Sequence, residues 1–286
     1  MKGIRVGNIV VQRIVELEDP FIPIGQMFPD ATAESINAHR PWLEPWALCP
    51  ESGRLILPVQ SYLLKTTHHT ILIDTCVGNH KSIQFLDSWN NRQDELWLRR
   101  LAASGVHPAE IDFVLCTHLH LDHCGWHTQL INGRWQPTFP NAQYLFAREE
   151  FQHRQEKADD TFVENIIPVM EAGQGVLVSM DHAIDSEVWL VPTPGHTPGH
   201  VSIHLASAGK RAVMMGDVMH SPVQCAEPDW RAVSDDNPDL ARATRHQFLN
   251  QHAETDTLIL TAHFPSPSVG HLVGHSGAFR LNYLST

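Results

Sequence analysis

The sequence predicts a layered mixed α/β (α+β) fold in which helices cover sheets, and three observations predict it. Strand-like apolar runs occur in both halves of the chain, helical patterns lie between and after them, and no linker or low-complexity tract divides the 286 residues. No repeat with a period of about 20 to 50 residues is present either. The hydrophobic content of 42% is ordinary for a globular protein of this length. One domain over 1–286 is therefore expected, with 1–54 as a strand-plus-loop extension placed to cap a site.

The elements follow in order. GNIVVQRIVEL, LILPVQSYLLKT and HTILIDT read as strands, with a Pro- and Trp-bearing stretch, PWLEPW at 41–46, between the first two. SWNNRQDELWLRRLAASG carries an apolar helical face through Leu96, Leu98 and Leu101 and a stop at Gly105. IDFVLCTH reads as a buried strand, and AREEFQHRQEKA and TFVENIIPVMEAG as one helix each. EVWLVPT, VSIHLA, RAVMMGD and TLILTAH are further strands. NPDLARATRHQFLNQHAE is a late helix that starts near Asn237 or Asp239.

Composition narrows the function. No run of about 18 apolar residues occurs, and Arg5, Gln12, Arg13 and Glu16 interrupt the opening stretch, so no membrane span or signal sequence is expected and the location expected is cytoplasmic. The five cysteines are scattered at 49, 76, 116, 124 and 225 without a CxxC pair, which suits reduced thiols. A formal charge of −12 disfavours nucleic acid as a partner and leaves a small molecule as the expected substrate. Twenty histidines against twenty Lys plus Arg is the oddity, since imidazole is the commonest metal ligand.

The chemistry-bearing residues sit at strand ends. His118, His196, Asp217, His263 and also Asp74 each lie at or just after the C-terminal end of an apolar run, where loops can project side chains into a cleft. In HLHLDH at 118–123, extended backbone would put His118, His120 and Asp122 on one side, and a turn would bring His123 round. Imidazole and carboxylate without thiolate suit two divalent ions, zinc first, with iron, manganese or cobalt also fitting. Seven such ligands fit two ions that share Asp217.

The order HxHxDH, then a later His, Asp and His, resembles the metallo-β-lactamase superfamily from 118 to 263. That resemblance implies a four-layer αβ/βα sandwich, two mixed sheets flanked by helices, with the metal site on one edge. It implies that His118, His120 and His196 bind one ion and Asp122, His123 and His263 the other, with Asp217 between them and Asp74 orienting a ligand histidine from behind. The layout is similar to the branch that holds methyl parathion hydrolase and the N-acyl homoserine lactonases: a leading strand before LIDT, GDVMH after Asp217, and HFPSP then Gly270-His271 around the last ligand.

The resemblance to that branch also implies the substrate class, and two-metal chemistry the nucleophile. A metal-bridging hydroxide would cleave a small lactone, carboxyl ester or phosphotriester, with Asp122 as the catalytic group that passes a proton to the leaving group. Cys116 and Cys124 are expected to be buried and inert. Trp42, Trp46, Trp126, His220 and Phe264 are the candidates to line the substrate pocket. The rival readings are a β-lactam or thioester hydrolase, a mononuclear iron oxygenase, and a non-catalytic metal-binding protein. A homodimer is the assembly to test.

Overall fold

The computed structural model describes residues 3–84 and 86–284, so the two ends of the expected 1–286 domain lie outside them. The chain forms two compact units, Met1–Glu16 with Val59–His182, and Leu17–Pro58 with Ala183–Thr286.

The first unit carries most of a seven-stranded mixed sheet. Its spatial order matches its chain order: β1 (Ile4–Val6), β2 (Ile9–Pro23), β3 (Arg54–Lys65), β4 (Thr70–Ile73), β5 (Phe113–Leu115), then β8 (Gln143–Ala147) and β9 (Gly175–Val178). The intervening β6 (Thr128–Ile131) and β7 (Arg134–Pro137) form a separate hairpin. β4, β5, β8 and β9 pair in parallel, with Ile73 opposite Leu115 and Leu115 opposite Leu145. Parallel register brings the C-terminal ends of β4 and β5 to the same edge, so Asp74 and the residues after Leu115 emerge side by side. Ile71, Leu72 and Ile73 are fully buried, the continuous apolar run expected of a strand covered on both faces. Helix Arg148–Lys157 packs on β8 and β9, and helix Ile167–Glu171 on β9.

The second unit carries a six-stranded mixed sheet: β10 (Val188–Pro192), β11 (Val201–Ser207), β12 (Lys210–Met214), β13 (Leu258–Leu260), β14 (Val269–His275) and β15 (Ala278–Tyr283). β12 and β13 are its one parallel pair, with Met214 opposite Leu260, so the chain leaves both at one edge towards Asp217 and His263. Helix Pro238–His252 starts where expected: the Asn237 side chain accepts the Leu240 N–H at 3.1 Å, and Pro238 takes a first-turn position that needs no N–H. Phe248 and Leu249 on that helix pack with Met215, Met219, Ile259 and Phe264 in one core cluster.

Several boundaries differ from the sequence reading. The stretch through Pro41 is not irregular but ends a helix, Ala33–Leu43, which opens on a reciprocal Thr32–Ser35 capping box. The expected single helix over 161–173 is two, Asp160–Asn165 and Ile167–Glu171, because Pro168 lacks the N–H that a continuous helix would use. The helix around 88–105 is only Leu96–Ala103; before it, the Asp94 side chain accepts the Leu96 N–H in a local turn. In the histidine-rich run, β5 stops at Leu115 and 121–124 is a short helix, so Asp122 does not continue an extended strand.

Four of the five cysteines, Cys76, Cys116, Cys124 and Cys225, are buried, and all five are free thiols. Burial pushes all four buried thiols above their ordinary pKa, Cys225 to about 12. No helix among the described residues is long and apolar enough to cross a membrane.

Candidate metal centre

In the first unit the ligand candidates are pinned from behind. Asp74 follows β4 with a positive φ of 54° that a short acidic side chain tolerates, and its carboxylate accepts the Thr117 N–H at 2.8 Å. The other oxygen of Asp74 lies 2.8 Å from His123 Nδ1, in a pair whose side chains are 2% and 0% exposed. His118 Nδ1 meets Thr117 Oγ1 at 3.1 Å. With their Nδ1 atoms so engaged, the Nε2 atoms of both rings are turned forward. His118 Nε2 stands 3.0 Å from His120 Nδ1, and His123 Nε2 3.7 Å from an Asp122 oxygen. His118 and His123 are buried and His120 and Asp122 half-buried.

The loop that carries these groups is clamped. Glu150, buried on helix Arg148–Lys157, accepts the Leu119 N–H at 2.9 Å. Thr75 N–H donates to the His123 carbonyl, and Gly125 N–H to that of Cys76. Glu16 is buried beneath, taking N–H groups from Val77 at 2.8 Å and Gly78 at 3.3 Å and the Trp126 indole N–H at 2.7 Å. Burial raises the Glu16 pKa to about 7, against the pull of Arg92 and these donors.

In the second unit three imidazoles surround one carboxylate. Asp217 Oδ2 is 3.3 Å from His196 Nε2 and 3.2 Å from His220 Nε2, and Oδ1 is 3.2 Å from His263 Nε2. All four side chains are nearly inaccessible. His263 Nδ1 lies 2.8 Å from the Pro58 carbonyl oxygen and His196 Nδ1 3.1 Å from Asp235. A carbonyl oxygen only accepts, so His263 donates from Nδ1 and Nε2 is the atom that faces Asp217. His196, Asp217 and His220 offer donor atoms close enough to share one ion. The backbone is held too: the Asp217 N–H donates to His200 Nε2 at 2.9 Å, while His200 Nδ1 faces the Thr193 carbonyl at 3.0 Å. Burial lowers the His220 pKa, opposed by the Asp217 charge.

A family model of the metallo-β-lactamase superfamily matches residues 55–263. The chain belongs to that superfamily. N-acyl homoserine lactonase AiiA of Bacillus thuringiensis subsp. kurstaki is 28% identical over 211 residues, covering 68% of this chain and 72% of AiiA. AttM, an N-acyl homoserine lactonase of Azorhizobium caulinodans, is 28% identical over 130 residues, covering 39% of this chain and 42% of AttM. Among solved structures, the β-lactamase-superfamily hydrolase AbOPH superposes with a TM-score of 0.82 at 22% identity, over 99% of this chain and 97% of its own. AidC, a dizinc quorum-quenching lactonase captured with a product, gives 0.80 at 20% identity over 100% and 97%. The homologues and structural neighbours of this metallo-β-lactamase chain are thus metal-dependent hydrolases, and the fold is theirs.

The other predicted residues are placed as follows in this superfamily member. Trp126 is buried, with its ring stacked on Trp97 at 5.4 Å. Phe264 is inside the core cluster. Trp42 is 37% exposed and donates its indole N–H to His39. Trp46 packs edge-on against Tyr283. A cavity of about 640 Å³ lined by Trp189, His204, Arg211 and His252 contains none of the predicted ligands. The sequence reading missed His200, Thr117, Glu150 and Asp235. Thr117 stands next to the candidate ligand His118 and could have been suspected as its support, whereas His200 supports Asp217 from 17 residues away. Glu150 and Asp235 carry no local signal.

Proposed function

We propose that the chain is a binuclear metal-dependent hydrolase that cleaves a small lactone, carboxyl ester or phosphotriester. His118, His120 and His196 would hold one divalent ion, Asp122, His123 and His263 the other, and Asp217 both, with zinc as the first choice. The observation that carries this reading is the state of the imidazoles: each of His118, His123, His196 and His263 has its Nδ1 engaged behind and its Nε2 forward. Supporting partners on one ring nitrogen are how proteins orient a histidine to bind a metal through the other. The donor chemistry therefore fits the ions. When bound, they supply a hydroxide nucleophile at neutral pH and positive charge for the developing oxyanion.

The chain's own groups supply the rest. Asp122, at the start of the short helix, is the one half-buried carboxylate of the set, and it takes a proton and returns it to the leaving group. His220, with Nε2 3.2 Å from Asp217, is held beside the proposed ions. The buried thiols take no part, since burial keeps Cys116 and Cys124 protonated. AidC and AiiA are lactonases, which supports a lactone as the first substrate to try.

The test is metal analysis of purified protein together with turnover on acyl homoserine lactone, aryl lactone, aryl ester and phosphotriester probes, before and after chelation. Two ions per chain and chelator-sensitive hydrolysis of at least one probe are expected. Two bound ions with every probe left intact would sink the reading. One iron with oxygen uptake on a persulfide would replace it.

A further inference from the structure

Helix Pro238–His252 contributes no predicted ligand, yet it holds the segments that do. Arg245, fully buried on it, sends Nε to the Val218 carbonyl at 3.1 Å and Nη1 to those of Pro228 and Trp230 at 2.8 and 2.9 Å. Its Nη2 lies 3.5 Å from Asp235 Oδ2, in a pair whose side chains are both 0% exposed. The same Asp235 oxygen accepts the Ala232 N–H at 2.9 Å, and Oδ1 faces His196 Nδ1 at 3.1 Å. Backbone bonds finish the joint: Asp236 N–H to the His196 carbonyl at 2.9 Å and Asn237 N–H to that of Gly195 at 3.0 Å. Gly195 itself has φ 134° and no room for a side chain, since a Cβ would sit 2.3 Å from the Ala241 nitrogen.

A buried ion pair is a poor device for stability alone, because desolvation offsets most of the attraction. It is a good device for fixing a hydrogen-bond direction. An ionised carboxylate next to a guanidinium can only accept, so the imidazole facing it must be the donor. We propose that the Arg245–Asp235 pair is a positioning device for His196: it holds the ring with the Nδ1 proton donated to Asp235 and Nε2 turned towards Asp217. Through Val218, the same guanidinium sets the turn that carries Asp217 and His220. Asp235 and Arg245 are positioning residues, not catalytic ones. The assignment rests on the metal-centre reading above for its consequence, and on the hydrogen bonds alone for the hold on the ring.

Two measurements separate these. Ring ¹⁵N NMR on the metal-free wild-type chain should find a proton on His196 Nδ1, the atom that faces Asp235. In Asp235→Asn, whose amide can either donate or accept, that preference should be lost, as in the wrong-tautomer behaviour of an Asp→Asn change behind a catalytic histidine. Zinc affinity, read by competition with a chromophoric chelator, should fall by about 10- to 100-fold in Asp235→Asn. A wild-type His196 without a proton on Nδ1 overturns the proposal, whether or not the variant folds. So does an Asp235→Asn chain with unchanged tautomer and zinc affinity. A wild-type chain that shows the Nδ1 proton but binds no zinc would instead overturn the metal-centre reading and leave the hold on His196 supported.

Discussion

Gly125 and Val77 touch through their backbones: a Cβ on Gly125 would lie 1.8 Å from the Val77 carbonyl oxygen. The contact sits beside the bonds that join Thr75 to His123 and Cys76 to Gly125, so it sets how near the histidine-bearing turn lies to the end of β4. Gly125 has a helical φ of −63°, which any residue adopts, and the constraint is therefore space alone. Gly125→Ala is expected to cost about 3 kcal/mol, as overpacking of a rigid site does. Urea unfolding measures it, and a loss below about 0.5 kcal/mol, the ordinary range of a neutral surface change, would show that the turn gives way easily.

Asp122→Asn tests proton transfer. It keeps the shape of the side chain and removes its basicity, so kcat should fall by about 10²- to 10⁴-fold with KM little changed. Metal content must be measured on the same sample. Near-normal kcat at full metal content would remove the role.

His127 predicts an acid limb in stability. The ring is fully buried between Tyr144 and Phe146, and burial lowers its pKa to about 3. Unfolded, it takes up a proton near its ordinary value of 6.5, while the folded state stays neutral. The unfolded chain therefore binds more protons from about pH 3 to 6.5, and stability falls as pH drops through that window. His127→Phe should flatten this limb by about 1.4 kcal/mol per pH unit relative to wild type. Parallel wild-type and variant curves over pH 4 to 6.5 would contradict it.

Glu16 predicts the opposite slope. Its folded pKa is raised to about 7 from 4.5, so the folded state holds a proton that the unfolded state has released. The contribution is fully present below about pH 4.5 and is lost as pH rises to about 7. Glu16→Gln mimics the neutral form and should gain on the wild type by about 3 kcal/mol between these limits. Paired denaturation series at pH 5 and pH 7 read the difference directly. A gap that stays constant, or narrows, would mean that the three N–H donors keep Glu16 ionised throughout.

The candidate site was more legible than its support. The candidate ligand types and the strand ends that carry them are local properties, visible in a run such as HLHLDH or a GD after an apolar stretch. Two hairpin turns were equally local and went unread: Asn132-Gly133 and Ser276-Gly277 both take positive φ at both positions, the conformation a two-residue hairpin needs. Helix Ala33–Leu43 was hidden by Pro41 near its end, although the Thr32 cap was in plain view. The supporting partners were hidden for a different reason. Asp235 reaches His196 across 39 residues and Glu16 reaches Trp126 across 110, and no periodicity in the chain encodes such distances.

The burial of four thiols has a practical consequence for anyone who handles the protein. Cys49, half-buried just before β3, is the one cysteine with solvent access in the native state. A maleimide dye or nitroxide added under native conditions thus attaches at a single address, with no need to engineer the others away. The chain arrives with a built-in handle for spectroscopy on its 17–58 segment.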